Sequence, residues 1–127
     1  MLKTKLDVRE FSNKEIPNEI ILKVLEAARL SGTGLNTQHW RFILVKDKDN
    51  LSKLANDSTS GKWVKNAAFA VIILTQPKYG FHLIDAGRVL QNMQLAAWNE
   101  GIISIISGLY TGVKEESYGM NLKFQVN

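Results

Sequence analysis

The sequence predicts an α+β fold, a small central sheet flanked by helices, and three observations carry that expectation. Three short, mainly apolar runs of strand length stand at Phe42–Lys46, Ala68–Thr75 and Ile102–Ile106. Two longer segments, from Pro17 to Ser31 and from Leu83 to about Glu100, space their apolar residues three and four apart, as a helix with one buried face requires. Between them lie turn-forming clusters, Ser31-Gly32, the polar stretch 56–61, Gly101 and Ser107-Gly108.

The first helix starts at Pro17-Asn18, residues suited to a helix start. Ile20, Val24 and Ala28, with Ile21 and Leu25 beside them, form its apolar face, and Glu19 and Lys23 are spaced to pair on the wet side. Phe42–Lys46 is the first strand. Asp47 or Asp49 caps a short helix around Leu51, Leu54 and Ala55. Ala68–Thr75, with β-branched Val71, Ile72 and Ile73, is a central strand covered on both faces. In the long helix Ala86, Leu90, Met93 and Ala97 form a core stripe. Its small residues Ala86, Gly87, Ala96 and Ala97 suggest a close helix–helix contact. Asp85, Arg88, Asn92 and Asn99 mark the other side, which is either a solvated face with an Asp85–Arg88 pair or a face turned toward a site. Ile102–Ile106 is a third strand ended by Ser107-Gly108, and the polar segment after Thr111 has no assignable role.

A chain of 127 residues suits a single domain over residues 1–127. With 45% apolar and 22% charged residues the composition is that of an ordinary globular protein. The absence of cysteine excludes disulfides, thiolate metal sites and cysteine nucleophiles. Two histidines, at 39 and 82, give no metal-ligand spacing. No run approaches the roughly 20 apolar residues of a membrane span, and the polar start lacks a signal-peptide core. A cytoplasmic protein that binds neither membrane nor nucleic acid is expected. The net charge of +4 is spread over scattered lysines, which attract phosphorylated cofactors as readily as nucleic acid.

Residues 31–41, Ser-Gly-Thr-Gly-Leu-Asn-Thr-Gln-His-Trp-Arg, form the most informative segment. Gly32 and Gly34 let the backbone come close to a ligand or adopt positive φ, and Asn36 and Gln38 carry amide donors and acceptors suited to a heteroaromatic edge. A helix-capping loop is the plainer reading of the same residues. Four segments in order resemble the nitroreductase family of FMN-dependent oxidoreductases. Lys5 to Ser12 followed by Ile16-Pro17 matches its basic Arg-Arg-Ser-x-Arg-x-Phe-Ser stretch. Gly32 to Trp40 matches its Pro-Ser-x-x-Asn-x-Gln-Pro-Trp loop, with His39 in place of proline. Trp63 to Ala68 matches its entry to the second strand. Asp85, Gly87, Gln91-Asn92-Met93 and Leu95-Ala96-Ala97 match its helix motif almost letter for letter.

The resemblance implies a nitroreductase-like fold built as an intertwined homodimer. It implies an FMN-dependent reductase that takes electrons from NADH or NADPH and passes them, ping-pong fashion, to a nitro compound, quinone or similar small-molecule acceptor. Lys5 and Arg9 then hold the FMN phosphate; as bare residues they are equally surface cations. Gly32, Thr33, Gly34 and Asn36 meet the partner subunit's flavin edge. Lys62 is a cation near flavin N1, or else a solvated lysine, and backbone groups at Ser107 and Gly108 face flavin N5. No residue is assigned as catalytic, because flavin carries the hydride. Lys5, Leu6 and Asp7 depart from the family's Arg-Arg-Ser, and a carboxylate at position 7 repels phosphate unless it turns away. The chain matches the family's core and ends before its usual last strand and basic tail. Two alternatives stand beside the reductase: a shortened relative acting as a weak flavin-binding or dimerisation scaffold, and a flavoenzyme with a different reaction, dehalogenating or azoline-oxidising.

Overall fold

The computed structural model describes residues 3–4, 10–12, 14–58 and 61–102, together with the backbone of strands 104–109 and 121–126. Helix α1 spans Asn18–Arg29 and buries Ile21, Val24 and Ala28, the face that its three-and-four spacing requires. Lys23 reaches across to Glu100 at 3.1 Å instead of pairing with Glu19, so it ties α1 to the far end of the long helix. Strand β1 covers Arg41–Val45. Helix α2 covers Lys48–Asp57, and the choice between two caps resolves to Asp47, whose carboxylate accepts the Asn50 N–H at 2.9 Å. Asp47→Ala is expected to cost about 1 kcal/mol of stability, read by urea denaturation, because one end N–H loses its acceptor.

Strand β2 covers Phe69–Leu74, α3 covers His82–Asn99, β3 covers Ser104–Leu109 and β4 covers Asn121–Val126. The four strands form one sheet in the order β1-β2-β4-β3, antiparallel at every pair. The alternation of β2 explains why both its faces are apolar. Phe69, Val71 and Ile73 join the main core with Val24, Ala28, Val89, Met93 and Ala97 of α1 and α3, while Ala70 packs on the other side with Leu51, Ala55 and Val64. Leu90 and Met93 are core residues, as their spacing predicts.

Two expectations are corrected. Ser107-Gly108 does not end the third strand: β3 runs through both residues, which pair with Lys123 and Leu122. The segment after Thr111 does have a role, because β4 inserts between β2 and β3. The small-residue band of α3 is largely used inside the chain, where Ala86 and Ala97 are fully buried, whereas Gly87 faces open space. At the end of α3, Gly101 adopts φ +75, its N–H donates to Trp98 O at 3.0 Å and the Ile102 N–H donates to Ala97 O at 2.9 Å. That pair of bonds closes the helix and turns the chain toward β3. No helix among the described residues is long and apolar enough to cross a membrane.

Candidate functional site

The segment between α1 and β1 is held from three sides. Ser31 ends α1 by donating its hydroxyl to Ala27 O at 2.8 Å and accepts Asn92 Nδ2 of α3 at 2.8 Å. A single tight turn follows at Gly34–Asn36. Thr33 Oγ1 accepts the Gln38 N–H at 3.0 Å and closes the loop on itself. Leu35, Asn36 and Gln38 have left-handed backbone, with φ of 51, 53 and 47. Asn tolerates that region, but Leu and Gln are strained there by roughly 1–2 kcal/mol each. Strain of this kind persists only where neighbouring contacts enforce it.

Those contacts come from Asp85 of α3, which is buried against the loop, while Arg88, Asn92 and Asn99 on the same side of the helix stay exposed. The Asp85 carboxylate accepts the Gly34 N–H at 3.0 and 3.2 Å and contacts His39 Nε2 at 3.0 Å. The Gln76 N–H, at the exit of β2, donates to His39 Nδ1 at 3.2 Å. Arg88 lies 3.9 Å from the Asp85 carboxylate, a looser version of the pair expected from spacing. Glycine at 34 is explained by packing: a Cβ there would stand 2.6 Å from the Phe81 ring. The Phe81 ring stacks on Tyr79 with centroids 5.8 Å apart, and Lys78 Nζ lies 5.0 Å from the Tyr79 centroid. Gln38 Nε2 donates to Asn36 Oδ1 at 2.8 Å, so the side-chain carbonyl of the exposed Asn36 is engaged within the loop.

The sequence-predicted residues fall in three places. Gly32, Thr33, Gly34 and Asn36 share the loop, at the end of the sheet where Arg41 pairs with Leu74. Lys62 is exposed and opens a short helical turn, Lys62–Asn66, that leads into the opposite end of β2. Phe11 meets Trp63 there, with ring centroids 6.1 Å apart, so residues 10–12 border the Lys62 end. Five residue steps of β2 separate the two ends by about 16 Å. Ser107 and Gly108 lie on β3, two strands away from β2. Within one chain the loop and Lys62 therefore stand at opposite ends of β2. Lys5 and Arg9 lie outside the described residues.

A cleft of about 620 Å³ opens at the Lys62 end, between the start of α1 and the start of β2. Lys14, Lys46 and Lys48 line it, with Glu15 as the opposing charge. Lys46 donates to Asn18 Oδ1 at 2.8 Å and Lys48 to Ala67 O at 3.1 Å. Among the described residues no cluster of His, Asp or Glu could hold a metal ion. Sequence reasoning assigned no role to His39 and left Asp85 undecided. The available signal was limited to each residue standing in one of the four matched segments, the second for His39 and the fourth for Asp85.

The model of the Nitroreductase family matches residues 2–83. A protein of Archaeoglobus fulgidus with the provisional name NADH dehydrogenase/NAD(P)H nitroreductase is 34% identical over 115 residues, covering 87% of this chain and 66% of its own. A Methanothermobacter thermautotrophicus protein of the same name is 30% identical over 113 residues, covering 86% of this chain and 59% of its own. The chain thus spans under two thirds of the length of these curated relatives. Among solved structures, an FMN-dependent nitroreductase from Clostridium difficile superposes with a TM-score of 0.89 at 23% identity, over 99% of this chain and 84% of that one. A nitroreductase, provisionally so named, from Desulfovibrio desulfuricans in complex with FMN superposes with a TM-score of 0.83 at 18% identity, over 98% and 81%.

Proposed function

The chain belongs to the nitroreductase family, and we propose that it acts in a homodimer as an FMN-dependent oxidoreductase, taking electrons from NADH or NADPH and delivering them to a nitro compound, quinone or similar acceptor. The observation that carries this reading is the exposed Asn36 amide on a loop fixed by a buried carboxylate. Its donor set fits the flavin pyrimidine edge, which offers carbonyl acceptors. FMN, when bound, supplies the hydride chemistry. The chain's own residues bind and orient it. Asn36 and the backbone of Gly32, Thr33 and Gly34 meet the pyrimidine edge, and Arg9 with Lys5 holds the phosphate. Lys62 places a cation that favours negative charge on the pyrimidine side. Ser107 and Gly108 belong to β3, which has β4 as its single described neighbour, so alternate backbone N–H groups point away from the ladder and would be available to the flavin's central ring.

The separation of the loop from the Lys62 end supports a site shared between two copies. A second copy that lays its loop against the first copy's Lys62 end assembles the set that one chain keeps apart. Leu30, Leu35 and Ile84, exposed by 67%, 90% and 69%, supply apolar surface on the loop side. Such an interface is expected to bury more than about 2,000 Å². The test is optical. The purified protein is expected to be yellow, to bleach with NADH or NADPH in the absence of oxygen, and to recover colour with a nitroaromatic or a quinone. A colourless protein that takes up no FMN on titration overturns the reading and leaves a dimerisation scaffold.

A further inference from the structure

We propose that His39 and Asp85 form a positioning pair that sets the shape of the Gly32–Gln38 loop, with His39 acting as the neutral imidazole whose proton sits on Nε2. In so far as the loop meets flavin, the inference rests on the function proposed above. The loop geometry itself stands apart from that reading.

The tautomer follows from the donors around the ring. The Gln76 N–H points at Nδ1 from 3.2 Å, so Nδ1 must offer a lone pair. The proton is therefore on Nε2, which donates to Asp85 Oδ2 at 3.0 Å. Both side chains are essentially sealed from solvent, at 1% and 2% exposure. Asp85 then spends its carboxylate on two donors from the loop segment, the Gly34 N–H and His39 Nε2–H. Its nearest cation in the described structure, Arg88, stays at 3.9 Å with a half-exposed side chain. Charge-assisted hydrogen bonds, and not a close ion pair, compensate the buried charge.

This arrangement joins three segments that share no regular element: the loop, the exit of β2 at Gln76 and the first turn of α3. The His39 ring packs beside the stacked Tyr79 and Phe81 rings, with centroids 5.3 and 6.4 Å away, and Phe81 in turn covers Gly34. The left-handed residues Leu35, Asn36 and Gln38 lie inside the span closed by Gly34 and His39. The pair fixes both ends of that span, so the direction of the Asn36 amide depends on it.

An amide at position 85 cannot replace the carboxylate. Its oxygen keeps one donor, but its NH2 group meets the other. If His39 moves its proton to Nδ1 to compensate, that proton faces the Gln76 N–H. Asp85→Asn is therefore expected to release the loop, whereas His39→Gln, which retains a donor near the Nε2 position, is expected to hold it better than His39→Ala.

Amide hydrogen exchange by NMR reads the loop directly. Asp85→Asn and His39→Ala are expected to accelerate exchange at Gly34 and Gln38 about tenfold or more while amides of β2 keep their wild-type rates, and to raise the FMN dissociation constant by about tenfold. His39→Gln is expected to fall between wild type and His39→Ala in both. Unchanged exchange at Gly34 overturns the inference, as does acceleration spread equally into β2, which marks a general loss of stability. Local acceleration with unchanged FMN affinity also overturns it as a positioning role. Wild-type protein that binds no FMN overturns the proposed function, while exchange at Gly34 still decides whether the pair shapes the loop. A nitrogen-detected spectrum of the wild-type His39 ring at neutral pH needs no variant: a bare Nδ1 and protonated Nε2 support the inference, and an Nδ1–H tautomer or an imidazolium overturns it.

Discussion

Phe69→Ala is expected to lower the free energy of unfolding by about 3–5 kcal/mol, the usual cost of emptying a fully enclosed aromatic site. Phe69 has 0% exposure and opens β2, the strand that lies between β1 and β4. Its side chain belongs to the core that α1 and α3 press onto the sheet, so the cavity left behind is walled by three elements that cannot all close on it. Domains of this size are stable by only about 5–15 kcal/mol, which makes the loss a large share of the total. Ile43→Ala on edge strand β1, where the side chain is 45% exposed, is the internal control and is expected to cost clearly less. Urea denaturation of the two variants checks the contrast. Equal midpoint shifts would mean that β2 is not the centre of the core.

Arg9→Ala is expected to weaken FMN binding by about 1.5–3 kcal/mol, roughly ten- to a hundredfold or somewhat more, and Lys5→Ala by less. The planar guanidinium donates two parallel hydrogen bonds to phosphate, whereas an ammonium acts as a mobile point charge. Arg9 also stands two residues before Phe11, whose contact with Trp63 ties this stretch to the Lys62 end. Fluorescence quenching on FMN titration separates the variants. Wild-type affinity in both removes the proposed phosphate clamp.

Periodicity alone made much of the architecture legible. The buried stripes of α1 and α3 and the two-sided core of β2 follow directly from residue spacing. Strand β4 was legible in principle, because Asn121-Leu122-Lys123-Phe124-Gln125-Val126 alternates polar and apolar residues strictly. Its distance from β2 in sequence hid its place in the sheet. Ser107-Gly108 misled for the opposite reason. Those residues often end strands, but a ladder with β4 carries them through.

The loop was legible as a special segment, while its mechanism of support was not. Gly34 suggested room for a ligand, and the structure gives that room to Phe81. The left-handed positions fell on Leu35, Asn36 and Gln38, where no glycine advertises them. Asp85 and His39 are 46 residues apart, and no local pattern links them. Their contact depends on α1, β1 and α3 meeting at one end of the sheet, which only tertiary packing decides.

A mixing experiment tests most directly whether the proposed flavin site is shared between two copies. Arg9→Ala and Asn36→Ala are each expected to impair every site of a homodimer, one at the phosphate and the other at the pyrimidine edge. When the two variants are unfolded together and refolded, about half of the dimers combine one of each, and one of their two sites carries neither change. About a quarter of all sites should then bind FMN with wild-type affinity and react with NADH or NADPH. Dimers that form but recover no such sites would contradict the shared site.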